Sequence, residues 1–229
     1  ETDMKKAAMY YTKSADDSNI IGLFNLAKMA NEGLGMKEDF KYAIELLHRA
    51  SRLGCIDADI EAGNFFLEKG KESKAFRCFK KAADAENPEA EMIVGKMYRY
   101  GYGVDVDYKN AVNYLSLGAK HGNPEAMQLL GRCYEEGQGV SADQKKALEL
   151  FKESADLNFV SGLDCYARFL LSGTGMDQPE PAKAIEILKK AAELGSDTSA
   201  FNLATILYEG KTKDVPKDKK EALKYFQIA

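Results

Sequence analysis

Histidine is almost missing from this chain: His48 and His121 are the only two, and neither has a partner at a matching position. A His-based zinc site or a Ser–His–Asp arrangement therefore has no raw material. Gly-x-Gly occurs at Gly33/Gly35, Gly101/Gly103, Gly137/Gly139 and Gly173/Gly175, but no Gly-Lys-Ser/Thr follows any of them, which excludes a phosphate loop. No apolar run approaches the length of a bilayer span, and no signal peptide opens the chain. Positive charge is not in excess either. The net charge of −4 gives no general attraction to nucleic acid or acidic membranes. Asn-x-Ser/Thr sequons are absent, and no cysteine has a partner at the matching site of its own hairpin. Cys55, Cys78, Cys133 and Cys165 are therefore expected to be reduced thiols, buried as small hydrophobes, and the chain is expected to be cytoplasmic.

What is present is repetition. The stretch from Pro124 to Leu157 reads as two helices joined by a glycine loop. Leu130, Gly131, Cys133 and Tyr134 mark one face of the first helix, and Ala147, Leu150, Phe151 and Ser154 that of the second. Between them Gly137 and Gly139 read as helix stops and Asp143 as an N-cap. A small residue recurs at the Gly131 position: Ala27, Gly63, Gly95, Gly131, Ala167 and Ala204. The Ala147 position recurs at Ala7, Ala43, Ala75, Ala111, Ala147, Ala184 and Ala222. From each second-helix anchor to the next first-helix anchor the spacing is always 20, whereas within a repeat it runs from 12 to 18. All length variation is therefore confined to one loop per repeat, which leaves a shared core undisturbed.

These residues carry a resemblance. YGYGVDVDYKNA, EGQGVSADQKKA and EGLGMKEDFKYA resemble the G-x-G-V-x-x-D-x-x-K-A signature of Sel1-like repeats, and LGRCY and KKAAELG resemble that family's two helices. The resemblance implies an all-α fold, a right-handed α/α superhelical solenoid related to tetratricopeptide repeats, generally used to hold proteins together. It covers a leading half-repeat (1–19) and six repeats (20–55, 56–87, 88–123, 124–158, 159–196 and 197–229). The second departs from the signature in having only Gly70 in a short loop, and the sixth in having a longer, lysine-rich one. Repeat five has Glu180 before Pro181 where the capping aspartate belongs, so a less regular loop is expected there. Some secreted bacterial relatives clamp each hairpin with a disulfide, and this chain departs from that branch. Glu1 falls inside a repeat, so a fragment is expected. An upstream signal, if removed, would place the protein in the ER lumen or periplasm. Uncapped stacking faces at both ends make end-to-end self-association an expectation.

No active site and no cofactor are expected. In tetratricopeptide relatives the first helices line the concave surface, and the residue after the anchor should face into it. Down the chain that residue is Lys28, Asn64, Lys96, Arg132, Arg168 and Thr205, a basic ladder in an acidic protein. Lys28–Glu32, Arg132–Glu136 and Asp164–Arg168 are expected to pair along their own helices. Lys96 and Arg99 have no carboxylate four places away in their helix, and Tyr100 stands beside them. Asn64, Lys96, Arg99, Tyr100, Arg132 and Arg168 are thus the candidate partner contacts, exposed in a groove that takes an extended, net acidic peptide. Two other classes remain: single-stranded RNA binding, as in pentatricopeptide repeats, and a hydrolase of the bacterial cell-wall or β-lactam type. The acidic balance argues against the first, and the lack of a nucleophile–base pair against the second.

Overall fold

A computed structural model describes residues 2–210 and 215–229. Among these residues there are thirteen α-helices and no strand. They are α1 (Thr2–Asp16), α2 (Ile20–Glu32), α3 (Phe40–Arg52), α4 (Ile56–Glu68), α5 (Glu72–Asp84), α6 (Pro88–Tyr100), α7 (Tyr108–Lys120), α8 (Pro124–Glu136), α9 (Gln144–Asp156), α10 (Val160–Ser172), α11 (Pro181–Glu193), α12 (Asp197–Glu209) and α13 (Lys219–Phe226). The chain forms two compact units, Glu1–Val106 and Asp107–Ala229. In the first, α1 to α6 pack one on another in chain order; in the second, α7 to α13 do the same, and α8 also touches α10.

The elements begin and end where side chains permit. Asp39, Asp107, Asp143 and Asp218 accept backbone amides of the first turns of α3, α7, α9 and α13, and Asn19, Asn87 and Asn123 do the same for α2, α6 and α8. The amide of Asn110 is the main reason the Asp107 carboxyl titrates below its usual value. Glu180 makes no side-chain cap, and its loop runs from 173 to 180. At the other end, Gly33, Gly101, Gly137 and Gly173 take the left-handed conformation and close α2, α6, α8 and α10. The loop of repeat two is shortest, residues 69–71. The lysine-rich stretch of the sixth loop, 211–214, lies outside the described residues.

The second glycine of the four Gly-x-Gly loops does something the sequence did not disclose. A Cβ on Gly35, Gly103, Gly139 or Gly175 would fall on the backbone of Met4, Glu72, Tyr108 or Gln144 respectively. Each of those residues opens or lies in the first turn of the second helix one repeat earlier. These glycines are therefore not merely helix stops: their missing side chains let each loop seat directly on the preceding hairpin.

The core is built from the second helices outward. Leu46, Leu47 and Phe79 in one unit, and Leu115, Phe151 and Leu188 in the other, are fully or almost fully buried. Each contributes about 1.5–3 kcal/mol by leaving water. A Cβ on Gly63 or Gly131 would stand 2.7 Å from a ring carbon of Phe79 or Phe151, so the small anchor and the large aromatic fit as a pair. Where the anchor is Ala27 or Ala167, the matching residue is Leu47 or Leu188. Repeat-to-repeat contacts follow the same rule. Ser14 and Ser154 occupy the space that a Cβ on Gly22 or Gly162 would need, and the Ser154 hydroxyl donates to the Pro124 carbonyl at 2.8 Å.

Candidate functional site

The helical period decides which first-helix positions face outward. With the anchor residue on the core side, the next residue lies about 100° round the helix, the fourth about 40° and the fifth about 140°. The residue after the anchor should thus be open, and this holds at three of the six positions: Asn64, Arg132 and Arg168 are exposed, while Lys28, Lys96 and Thr205 are half-buried. The fourth residue leans toward the neighbouring first helix instead. Asn31 there is 9% exposed and hydrogen-bonds Glu68 of the next repeat, and Glu135 meets Arg168.

That geometry corrects the expectation for Arg99. It occupies the fourth position and is only 6% exposed. Its guanidinium stands 5.6 Å from the centre of the Tyr100 ring. Lys96 and Arg99 are both already engaged by other residues, so neither is a solvent-exposed contact awaiting a carboxylate. Tyr100, at the fifth position, is 44% exposed and stacks obliquely with Tyr102 at 5.7 Å. At the position three before the anchor, Ile60, Met92 and Gln128 are buried.

The expected pairing along single helices is replaced by pairing between repeats. Lys28 meets Glu61 at 3.2 Å, not Glu32. Arg168 holds Glu135 with both arms of its guanidinium, at 2.8 and 2.9 Å, and not Asp164. Those hydrogen bonds from Arg168 to Glu135 are the main reason its pKa is raised above the usual arginine value. Asp164 accepts instead from the hydroxyls of Ser196 (2.9 Å) and Ser199. Arg132 donates only to the Cys165 sulfur, at 3.9 Å; among the described residues it has no carboxylate partner.

Within Asp107–Ala229 these side chains border a cavity of about 780 Å³ between α10 and α12. Cys165, Leu171, Leu188 and Ile206 give it an apolar lining, Phe201 stands at its edge, and Arg132 and Arg168 reach it from α8 and α10. The cavity brings together two of the candidate contacts, Arg132 and Arg168. Asn64, Lys96, Arg99 and Tyr100 belong to the other unit.

A buried polar cluster lies elsewhere. Asp59, 5% exposed, accepts from the Ser51 hydroxyl at 2.7 Å and pairs with Lys81 at 3.1 Å. Lys81 also donates to Ser51, so its ammonium is a donor to both and not a base for the serine. The signal was an acidic residue, Asp59 here and Glu91 in the next repeat, at a position filled by Leu23, Met127 and Leu163 elsewhere. Burial first, and then the Asp59 charge, push the nearby Cys78 thiol up to about 11. The four cysteines are unpaired. Among the described residues no group of three or more His, Cys, Asp or Glu could hold a metal ion, and no helix is long and apolar enough to cross a membrane.

The Sel1 repeat is the sequence family that matches, over residues 1–19, 20–55, 59–87, 88–123, 124–159, 166–196 and 198–229. The chain belongs to the Sel1 repeat family. A search among curated proteins found no match. Among solved structures, the chain is similar to a Sel1 repeat protein from Oxalobacter formigenes, with 26% identity and a TM-score of 0.81 over 96% of this chain and 91% of that one. It is also similar to a protective antigen of uropathogenic Escherichia coli that displays an SLR fold, with 24% identity and a TM-score of 0.86. That match covers 96% of this chain but 48% of the antigen, so the chain spans about half the antigen's length. An immunity protein of Pseudomonas aeruginosa shares the helical-repeat fold more distantly, at 20% identity and a TM-score of 0.54 over 82% of this chain and 72% of that one. Sel1 repeat proteins generally mediate protein–protein interaction.

Proposed function

We propose that this chain is a non-catalytic interaction module that holds an extended segment of a partner protein on the faces of its first helices. The observation that carries the reading is the outward row after each anchor. Asn64, Arg132 and Arg168 are exposed there, and the last two border an open cavity. Guanidinium side chains on successive first helices, Arg132 on α8 and Arg168 on α10, suit the repeating polar groups of an extended backbone. The basic members favour a partner segment with acidic side chains. Arg99 supports this surface from beneath, behind the ring of Tyr100, and does not touch the partner. Arg168, bound by Glu135, positions the wall of the cavity and contributes less charge than its formal value.

Selection of random nonapeptides on the 229-residue chain tests the reading. Saturable binders are expected, weakened by added salt and by Arg132→Glu or Asn64→Glu. Reversal of Lys152, exposed on second helix α9, should leave them unchanged. Failure to enrich any binder, or binders indifferent to the first-helix substitutions, would refute the proposal.

A further inference from the structure

We infer that the cavity between α10 and α12 seats one bulky apolar side chain of the partner segment, and that Arg132 holds a carboxylate one to three residues away from it. The inference rests on the protein-binding reading above and adds the chemistry of the segment.

The cavity is an open cleft, and its volume, about 780 Å³, lies within the range of ligand-binding clefts. It exceeds the needs of a single side chain and leaves room for flanking backbone. Leu171, Leu188, Ile206 and the Cys165 sulfur make the seat apolar, and Phe201, 55% exposed, offers a ring face at the rim. An aliphatic or aromatic side chain is the group such a lining favours.

The charges decide the rest. Arg168 is paired with the Glu135 carboxylate through two hydrogen bonds, and Asp164, which keeps its negative charge, is held by the Ser196 and Ser199 hydroxyls. Recruiting either for a ligand means breaking contacts already made. Arg132 is the exception, with a distant sulfur as its one hydrogen-bond acceptor and no carboxylate partner among the described residues. Of the two arginines bordering this cavity, Arg132 is the one whose guanidinium meets no carboxylate among the described residues, and a single carboxylate complements it. A polyanion would gain little more. Asn202, exposed on the α12 wall, has an amide that no described residue hydrogen-bonds, so it can both give to and take from a passing backbone.

Spacing follows from reach. First helices of successive repeats lie about 8–10 Å apart, and an extended chain advances about 3.3 Å per residue. Arg132 starts on α8 and extends over Cys165 of α10. One to three residues then separate the carboxylate it meets from a side chain lodged between α10 and α12.

The test uses the nonapeptide selection and its most enriched peptide, synthesised with a fluorescent label. Enriched sequences should pair Phe, Leu or Met with Asp or Glu one to three positions away. Arg132→Glu should weaken the peptide at least tenfold and Arg132→Gln by less, while Thr205→Trp, which fills the cavity, should also weaken it at least tenfold. Circular dichroism and melting of each variant separate lost binding from lost fold. Binders that lack the apolar–acidic pairing, or that ignore both Arg132→Glu and a folded Thr205→Trp, would overturn this inference while leaving the protein-binding reading intact. An empty selection would overturn both.

Discussion

Gly131 and Phe151 are fitted to one another: the ring occupies the place of the glycine's missing side chain, so that a Cβ there would lie 2.7 Å from a ring carbon. The same relation joins Gly63 to Phe79. Gly131→Ala gains about 1 kcal/mol of helix propensity but forces the ring aside, at about 1–3 kcal/mol. The expected net result is destabilisation. Phe151→Leu should restore fit in the Gly131→Ala background, because Ala27 and Ala167 already stand opposite leucines. Denaturant melts of both single variants and the double variant measure this, and additive effects would contradict it.

The loop glycines predict a contrast. Gly139 and Gly122 both have positive φ, +75° and +86°, so alanine is strained at either by about 1–2 kcal/mol. Only Gly139 lies against another backbone, that of Tyr108, whereas Gly122 has open space. Gly139→Ala should therefore cost clearly more than Gly122→Ala, by about 1–3 kcal/mol on the overpacking scale. Equal losses would mean that loop seating adds nothing.

Arg99→Glu is a stability variant and not a binding variant. A site 6% exposed and built around a guanidinium receives a carboxylate, for which about 3–5 kcal/mol is the usual penalty. Arg132→Glu, on an open face, should change stability by no more than about 0.5 kcal/mol. Thermal melts of the two will separate these roles.

Cys78 should be a sluggish thiol. Its pKa rises from 9.0 to about 11, chiefly through burial, so at pH 8 its thiolate is about a hundredfold scarcer than that of an unfolded cysteine. Alkylation followed by mass spectrometry should find it slower in the folded chain than after denaturation. The pH dependence has a definite sign. Below pH 9 both states keep the proton, and between about pH 9 and 11 the unfolded chain loses it first. Cys78 therefore makes stability fall as pH rises through that window. Cys78→Ser should flatten that part of the curve.

The repeat was legible because it is written twice, in the constant spacing of 20 between anchors and in the capping residues. Asp39, Asp107 and Asp143 could be placed as caps since an N-cap acts on amides two or three residues away. Helix stops at Gly33, Gly101 and Gly137 were legible for the same reason: the left-handed turn is a local demand. Asn64 and Arg132 could be called exposed from helical angle alone.

Contacts between repeats were decided only in three dimensions. In the sequence Lys28 has Glu32 within its own helix and Arg168 has Asp164, yet in the fold they meet Glu61 and Glu135 on neighbouring first helices. Arg99 looked open because nothing local paired with it, and it is buried because the fourth position after the anchor leans toward the adjacent first helix. The second glycine of each loop reads as a repeated turn residue until the preceding helix is set against it. The sequence alone thus determined the hairpin, its period, its caps and its small anchors, all consequences of geometry within a few residues of chain. The charge pairs, the buried arginine, the loop seating and the cavity between α10 and α12 were left to the tertiary structure, since each depends on surfaces about thirty residues apart meeting when one hairpin is laid on the next.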